Sequence, residues 1–201
     1  MAQGAGLTSR QKQFLDLAIQ ESYILSTFYL SGGTALSYWY LHHRQSDDLD
    51  FFSTRAFDYE HLTRWLQSNR KSIGYQRIQF DEDYGFLRVR LHYIDGESLL
   101  VDFHHYSNVV LESGTRWRGL TIDSMTDITV NKMKTVATFP RTRDYIDLYC
   151  IFKSQPWELD RLVVDIEKKF QEKIDVLQLA KNFLKATEYT DFPKMLVPFH
   201  K

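Results

Sequence analysis

The chain has 201 residues, with 25 Lys+Arg against 26 Asp+Glu, a formal net charge of −1 and 43% hydrophobic residues. That length suffices for one compact domain, or a small domain with a helical companion. The near-zero charge argues against a protein that holds nucleic acid or an anionic membrane mainly by bulk electrostatics. The aromatic content argues against disorder, and a lone cysteine, Cys150, excludes an intramolecular disulfide framework and fits a reducing compartment. The N-terminal stretch lacks the apolar core of a signal peptide, and no apolar run reaches the ~18 residues needed to cross a bilayer, so a cytoplasmic protein with no membrane role is expected.

Thr8 or Ser9 can cap a helix running to about Ser22, with Phe14, Leu17, Ala18 and Leu25 at helical spacing. A short strand, Phe28 to Ser31, meets the pair Gly32-Gly33, and Thr34 to His42 reads as a second helix. Asp48 to Phe52 is a second strand, and Leu62, Trp65 and Leu66 mark a helix from Asp58 to about Arg70. Three strands follow, Tyr75 to Phe80, Gly85 to Tyr93 and Ser98 to His104, with turns at Asp81 to Tyr84 and Asp95 to Glu97. From there the pattern is helical: Asp123 or Ser124 to Thr138, stopped by Pro140, then Thr142 to Phe152, Trp157 to Phe170 and Asp175 to Thr187. All nine glycines fall at or before Gly119 and all four prolines after it, which marks a change of character near residue 120.

Asp48-Leu49-Asp50 is the strongest chemical signal. Positions i and i+2 of a strand share a face, so the two carboxylates stand side by side and repel unless a cation lies between them. A hard divalent ion with oxygen ligands resolves that conflict, Mg²⁺ above all. Upstream, a strand followed by Gly32-Gly33 and a helix start lets backbone N–H groups approach a phosphate, and Ser31 and Thr34 can add hydroxyl contacts. The chain contains neither a P-loop nor a dinucleotide fingerprint. Asp102 is the one acid inside the apolar run Leu99 to Phe103, costly to bury unless paired or metal-bound. With Asp48 and Asp50 it makes the third ligand of a two-metal phosphoryl-transfer site. In the helical half, Lys132 can meet phosphates and Asp144 can orient it, although Arg143, Asp144 and Asp147 can equally form interhelical salt bridges.

These segments resemble the AbiEii/AbiGii toxin family of nucleotidyltransferases, within the DNA polymerase β-like superfamily. The resemblance rests on Gly32-Gly33-Thr34-Ala35-Leu36, His43-Arg44-Gln45-Ser46, Asp48-Leu49-Asp50-Phe51-Phe52, Asp127 to Lys132, and Arg143-Asp144 with Asp147-Leu148. It implies transfer of a nucleoside monophosphate from an NTP to an acceptor, tRNA or other RNA, with Mg²⁺ (or Mn²⁺) and release of pyrophosphate, in the toxin of a toxin–antitoxin or phage-defence system, with a cognate antitoxin as partner. Fourteen residues separate Gly33 from Asp48, one more than the superfamily pattern spans. Arg44, Arg88, Arg90, Arg116 and Arg118 are the arginines that could meet a nucleic-acid backbone.

Adjacent histidines such as His104-His105 point to opposite strand faces, so a structural zinc site is not expected; His104 shares the face of Asp102 and can border the site. The expected fold is α/β (α+β): a small mixed β-sheet nucleotidyltransferase core, residues 1–122, with flanking helices, and a C-terminal helical bundle, residues 123–201, covering the nucleotide. The expected catalytic set is Asp48, Asp50, Asp102, Lys132 and Asp144, with Asp48, Asp50 and Asp102 as metal ligands. Ser31, Gly32, Gly33, Thr34 and Lys132 are expected to bind the nucleotide. The alternative is a catalytically silent protein of the same fold that binds a nucleotide or an antitoxin.

Overall fold

A computed structural model describes residues 6–198. Its centre is a seven-stranded mixed sheet: β1 (Tyr29–Ser31), β2 (Asp48–Ser53), β3 (Arg77–Asp83), β4 (Phe86–His92), β5 (Ser98–His105), β6 (Thr115–Trp117) and β7 (Leu120–Ile122), in the order β3-β4-β5-β2-β1-β7-β6. β2 lies parallel to β5 and β1 parallel to β7; the other neighbours are antiparallel.

Alternation along the strands gives the sheet two chemically different faces. Leu49 and Phe51 of β2, Leu87, Val89 and Leu91 of β4, and Leu99, Val101 and Phe103 of β5 point into the core. Helix α1 (Ser9–Ala18) packs on that side through Phe14, whose ring meets Trp65 of α4 (Tyr59–Ser68) edge-on at 5.6 Å. Thr8 begins α1 with a capping box: its hydroxyl accepts the Gln11 amide at 3.2 Å while the Gln11 side chain accepts the Thr8 amide at 2.9 Å. The opposite face carries Asp48, Asp50, Arg88, Asp102 and His104. Over it pass α6 (Met125–Thr138), capped by Ser124, and α7 (Thr142–Ser154), followed by α8 (Leu159–Phe170) and α9 (Val176–Leu184).

The structure departs from the sequence reading in four places. The first helix stops at Ala18, and a separate helix, α2 (Ser22–Thr27), precedes β1. β3 runs through Asp83, so the turn to β4 is tight and uses Gly85 at φ +74°. A short helix, α5 (Arg70–Ile73), follows α4. The hairpin β6–β7 was not expected at all: Arg118 (φ 49°) and Gly119 (φ +94°) form its two-residue loop, which the Arg-Gly pair between short strands could have signalled. This hairpin matters because β7 lies beside β1 and delivers Asp123 and Ser124 directly behind Ser31.

The long Gly33–Asp48 spacing has a local cause. Helix α3 (Gly32–Ala35) runs on as a π-helix over Leu36–Leu41 and ends at His42 in the left-handed region (φ 51°). A π-turn absorbs an extra residue without moving the helix ends. The loop that follows is held by the chain's far end: the Gln45 amide donates to the Lys194 carbonyl at 2.8 Å, and the Leu196 amide to the His43 carbonyl at 2.9 Å.

Candidate active site

Strand register builds a polar row across the sheet. Ser31, Asp50, Asp102 and Arg88 are successive partners on β1, β2, β5 and β4. Asp48 stands one strand step away on the same face as Asp50. The row floors a cavity of about 440 Å³ between the sheet and helices α6 and α7, lined also by Gly32, Gly33, His104, Asn131, Lys132, Arg141 and Arg143.

The carboxylates are not equivalent. Asp102 is buried, and Arg88 grips it through two parallel hydrogen bonds, Nε to Oδ1 at 3.0 Å and Nη2 to Oδ2 at 2.7 Å. Asp48 meets Arg143 Nη1 at 3.5 Å. The Asp50 carboxylate has no hydrogen bond or ion pair among the described residues. Burial, then the charges of Asp102 and Asp48, push its carboxyl up to about 6 against the pull of Lys132 and Arg143. A carboxylate with two acidic neighbours and no partner is the electrostatic setting that a divalent cation relieves. One ligand atom each from Asp50, Asp102 and His104 lie within 4.8 Å of one another, so the donor set fits such an ion.

Gly32 is required by the same packing. It has φ +72°, and a Cβ there would stand 2.0 Å from Asp50 Oδ2. A Cβ on Gly33 would meet Arg44 Nη2 at 2.6 Å and Ser46 Oγ at 2.8 Å. The two glycines therefore let the first turn of α3 press against both the acidic row and the buried Arg44.

Lys132 enters the cavity from α6 and is anchored behind it by two carboxylates of α7, Asp144 Oδ1 at 2.7 Å and Asp147 Oδ2 at 2.8 Å. Asp147 also accepts from Arg44 Nε at 2.6 Å, Arg44 Nη2 at 2.9 Å and His43 Nε2 at 2.8 Å. Asp144 is fully buried and accepts from Arg141 Nε at 2.9 Å. Burial alone would raise both carboxyls; Lys132, with hydrogen bonds from Arg44 and His43 to Asp147 and from Arg141 to Asp144, outweighs it and holds them below the usual range. The network is a wall of paired charge that ties the π-helical loop, α6 and α7 together.

The expected site residues separate accordingly. Asp48, Asp50, Asp102, Gly32, Gly33, Ser31 and Lys132 all line the cavity. Thr34 does not; its buried hydroxyl donates to the Asp48 carbonyl at 2.5 Å and so holds the start of β2. Asp144 stands behind Lys132 rather than in the cavity. Ser31 turns its hydroxyl to Asp123 Oδ2 at 2.6 Å. Arg44, grouped in the sequence with arginines that could meet a nucleic-acid backbone, has its guanidinium locked onto buried Asp147, and Arg118 pairs with Asp16. Asp147 and Arg88 carry roles that sequence reasoning left open or did not assign; Arg88 had one legible signal, alternation on β4 that put it on the face of the acids.

A sheet of this topology carrying an acidic row, a Gly-Gly helix start and a facing lysine is the framework of a nucleotidyltransferase. The chain matches the family model for the nucleotidyl transferase AbiEii toxin of type IV toxin–antitoxin systems over residues 14–200, and it belongs to that family. The resemblance read from the sequence motifs is thereby borne out. An uncharacterized protein of Aquifex aeolicus (strain VF5) is 29% identical over 167 residues, covering 82% of this chain and 76% of that protein. Among solved structures, JHP933 from Helicobacter pylori superposes with a TM-score of 0.54 at 18% identity, covering 91% of this chain and 93% of its own. The Megavirus polyadenylate synthase superposes with a TM-score of 0.50 at 14% identity, covering 74% of this chain and 32% of its own. Those two likenesses are of fold. No helix among the described residues is long and apolar enough to cross a membrane.

Proposed function

We propose that the protein transfers a nucleoside monophosphate from an NTP to a hydroxyl of an RNA acceptor, tRNA among the candidates, with release of pyrophosphate and with divalent cations held by Asp48, Asp50 and Asp102. The observation that carries this reading is the unpartnered Asp50 carboxylate set between Asp48 and Asp102 at the floor of a cavity whose opposite wall is cationic. When bound, the cations, Mg²⁺ in the expectation from sequence, supply charge neutralisation at the reacting phosphate and lower the pKa of a coordinated oxygen.

The chain's own groups do the rest. Lys132, Arg141 and Arg143 line the cavity and offer the triphosphate N–H donors whose charge is shared with Asp144, Asp147 and Asp48. Asp144 and Asp147 keep the Lys132 ammonium in place, so no rotamer freedom is lost when phosphate arrives. The first turn of α3 brings the Gly33 backbone to the cavity, where its closeness suits a phosphate oxygen. In this reading Asp102 also takes the proton of the acceptor hydroxyl, through a lone pair that Arg88 leaves free. The described residues up to Ile122 are, in this reading, the catalytic half and those from Asp123 onward the helical cover. The local cationic wall, not bulk charge, would then recognise nucleic acid. A cytoplasmic toxin restrained by a cognate antitoxin is the matching biology; NTP is available there and Cys150 stays reduced.

The test is incubation with each labelled NTP, Mg²⁺ and total tRNA, comparing wild type with the Asp48→Ala/Asp50→Ala double variant. Label should move to RNA in the wild type only. Absence of transfer from every NTP, together with absence of cation-dependent NTP binding, overturns the reading.

A further inference from the structure

Two residues along from the acidic row lies a second one. Tyr29, Phe52, His104 and Phe86 are successive register partners across β1, β2, β5 and β4, on the face shared with Ser31, Asp50, Asp102 and Arg88. Their rings are filed against one another. Tyr29 and Phe52 have centroids 5.9 Å apart with planes at 27°, Phe52 and His104 4.7 Å at 15°, and His104 and Phe86 4.9 Å at 36°. The Arg88 guanidinium covers Phe86, 5.2 Å from its centroid. The faces of Phe52 and His104 are turned to their neighbours in the row. The row thus clamps His104 between Phe52 and Phe86.

An imidazole held on both faces presents its edge, where the nitrogens are. The His104 nitrogens make no hydrogen bond among the described residues. The edge reaches the carboxylates, since one ligand atom each from Asp50, Asp102 and His104 lie within 4.8 Å of one another. A cation bonded at about 2.1–2.2 Å holds its ligand atoms roughly 3–4.4 Å apart. The three atoms therefore close on one ion with small shifts. Arg88 does not prevent this, because each oxygen of Asp102 keeps a lone pair beyond the one Arg88 uses.

We propose that His104 is a nitrogen ligand to the cation on the Asp102 side of Asp50, and that this position takes a first-row transition ion, such as Mn²⁺, in preference to Mg²⁺. Mg²⁺ favours an all-oxygen octahedron and sheds water reluctantly, whereas imidazole suits the transition ions. The Asp48 side of Asp50 has only oxygen donors and remains suited to Mg²⁺. The two cation positions thus differ in chemistry because one strand, β5, carries Asp102 and His104 at i and i+2. The proposal rests on the nucleotidyl-transfer reading for the presence of a cation there, but the histidine's contribution is measured without turnover.

The experiment is a Mn²⁺ titration of the full chain followed by EPR, with Mg²⁺ as competitor, on wild type, His104→Phe and Asp50→Asn. His104→Phe keeps the ring stack and removes the nitrogen; His104→Gln serves if the first variant does not fold, as judged by thermal unfolding. Pulsed EPR of the wild type should show a directly bound imidazole nitrogen that the His104 variant lacks. Mn²⁺ affinity should fall about tenfold in that variant with Mg²⁺ affinity unchanged. A wild-type spectrum without nitrogen coupling, equal loss of both ions, or no Mn²⁺ binding at all overturns the proposal. Failure of the transfer reading looks different: the nitrogen signal is present, yet no NTP yields labelled RNA.

Discussion

Asp50 and Asp102 are register partners on the parallel strands β2 and β5, so their carboxylates face the same cavity from adjacent strands. Parallel pairing needs a long crossover, and here the whole stretch from α4 to β4 lies between the two acids in sequence. The two respond to the crowding differently: Arg88 neutralises Asp102, and Asp50 is left without a partner.

That asymmetry makes Asp50 a liability in the cation-free protein. Its carboxyl is raised to about 6, so its protonation favours the fold; the contribution is complete below the ordinary carboxylate range and is lost as pH rises through about 6. Asp50→Asn should raise the melting temperature of the cation-free protein at pH 7.5 and leave it unchanged at pH 4. The same substitution should abolish the rise in melting temperature that a divalent cation gives the wild type. Differential scanning calorimetry with and without Mg²⁺ at both pH values checks this.

Asp147 behaves in the opposite sense. It is held far below its ordinary range by Lys132, Arg44 and His43, so its stabilisation is present at neutral pH and is lost as pH falls below the usual carboxylate range. Asp147→Ala strands buried cations and should cost about 3–5 kcal/mol. Urea unfolding at pH 7 would report it, and equal stability of variant and wild type would contradict the network. Arg44→Met, which removes a buried charge with its partner still engaged by Lys132, should cost less.

Asp123 offers a separate pH signature away from the metal ligands. Burial pushes its carboxyl up to about 6 despite the hydrogen bond from Ser31. The sign follows that of Asp50, with stability lost as pH rises through about 6. Asp123→Asn should stabilise the protein by up to about 3 kcal/mol at pH 7.5 and by nothing measurable at pH 4. Chemical denaturation across that range decides it.

Gly32→Ala tests the close approach of α3 to the acidic row. The left-handed backbone costs an alanine about 1–2 kcal/mol, and its Cβ must displace the Asp50 carboxylate. Stability should fall by that modest amount while Mn²⁺ binding falls much further. Gly74→Ala, at φ +81° with open space around its Cβ, is the control: it carries the backbone cost without the loss of cation binding.

The local part of this protein was legible from residue order alone. D-x-D on a short strand, a Gly-Gly before a helix, an acid in an apolar run, and a lysine five residues after the acid of a helix's first turn are local signals, carried by neighbours in the chain itself. They sufficed to single out Asp48, Asp50, Asp102 and Lys132, which the fold brings to one cavity, and the resemblance of the surrounding motifs gave the family. Pairing was not legible, because register joins residues far apart and depends on which strands lie side by side. Only the assembled sheet set Arg88 against Asp102, inserted β7 beside β1, and sent the Thr34 hydroxyl to the Asp48 carbonyl and away from the cavity. The charge arithmetic shows the same division. A net charge of −1 excluded a broadly basic surface from the start, but where the charges cancel is a tertiary fact: Arg44, Lys132 and Lys169 are buried against Asp147, Asp144 and Asp127, since a buried ion is tolerated only beside its counter-ion.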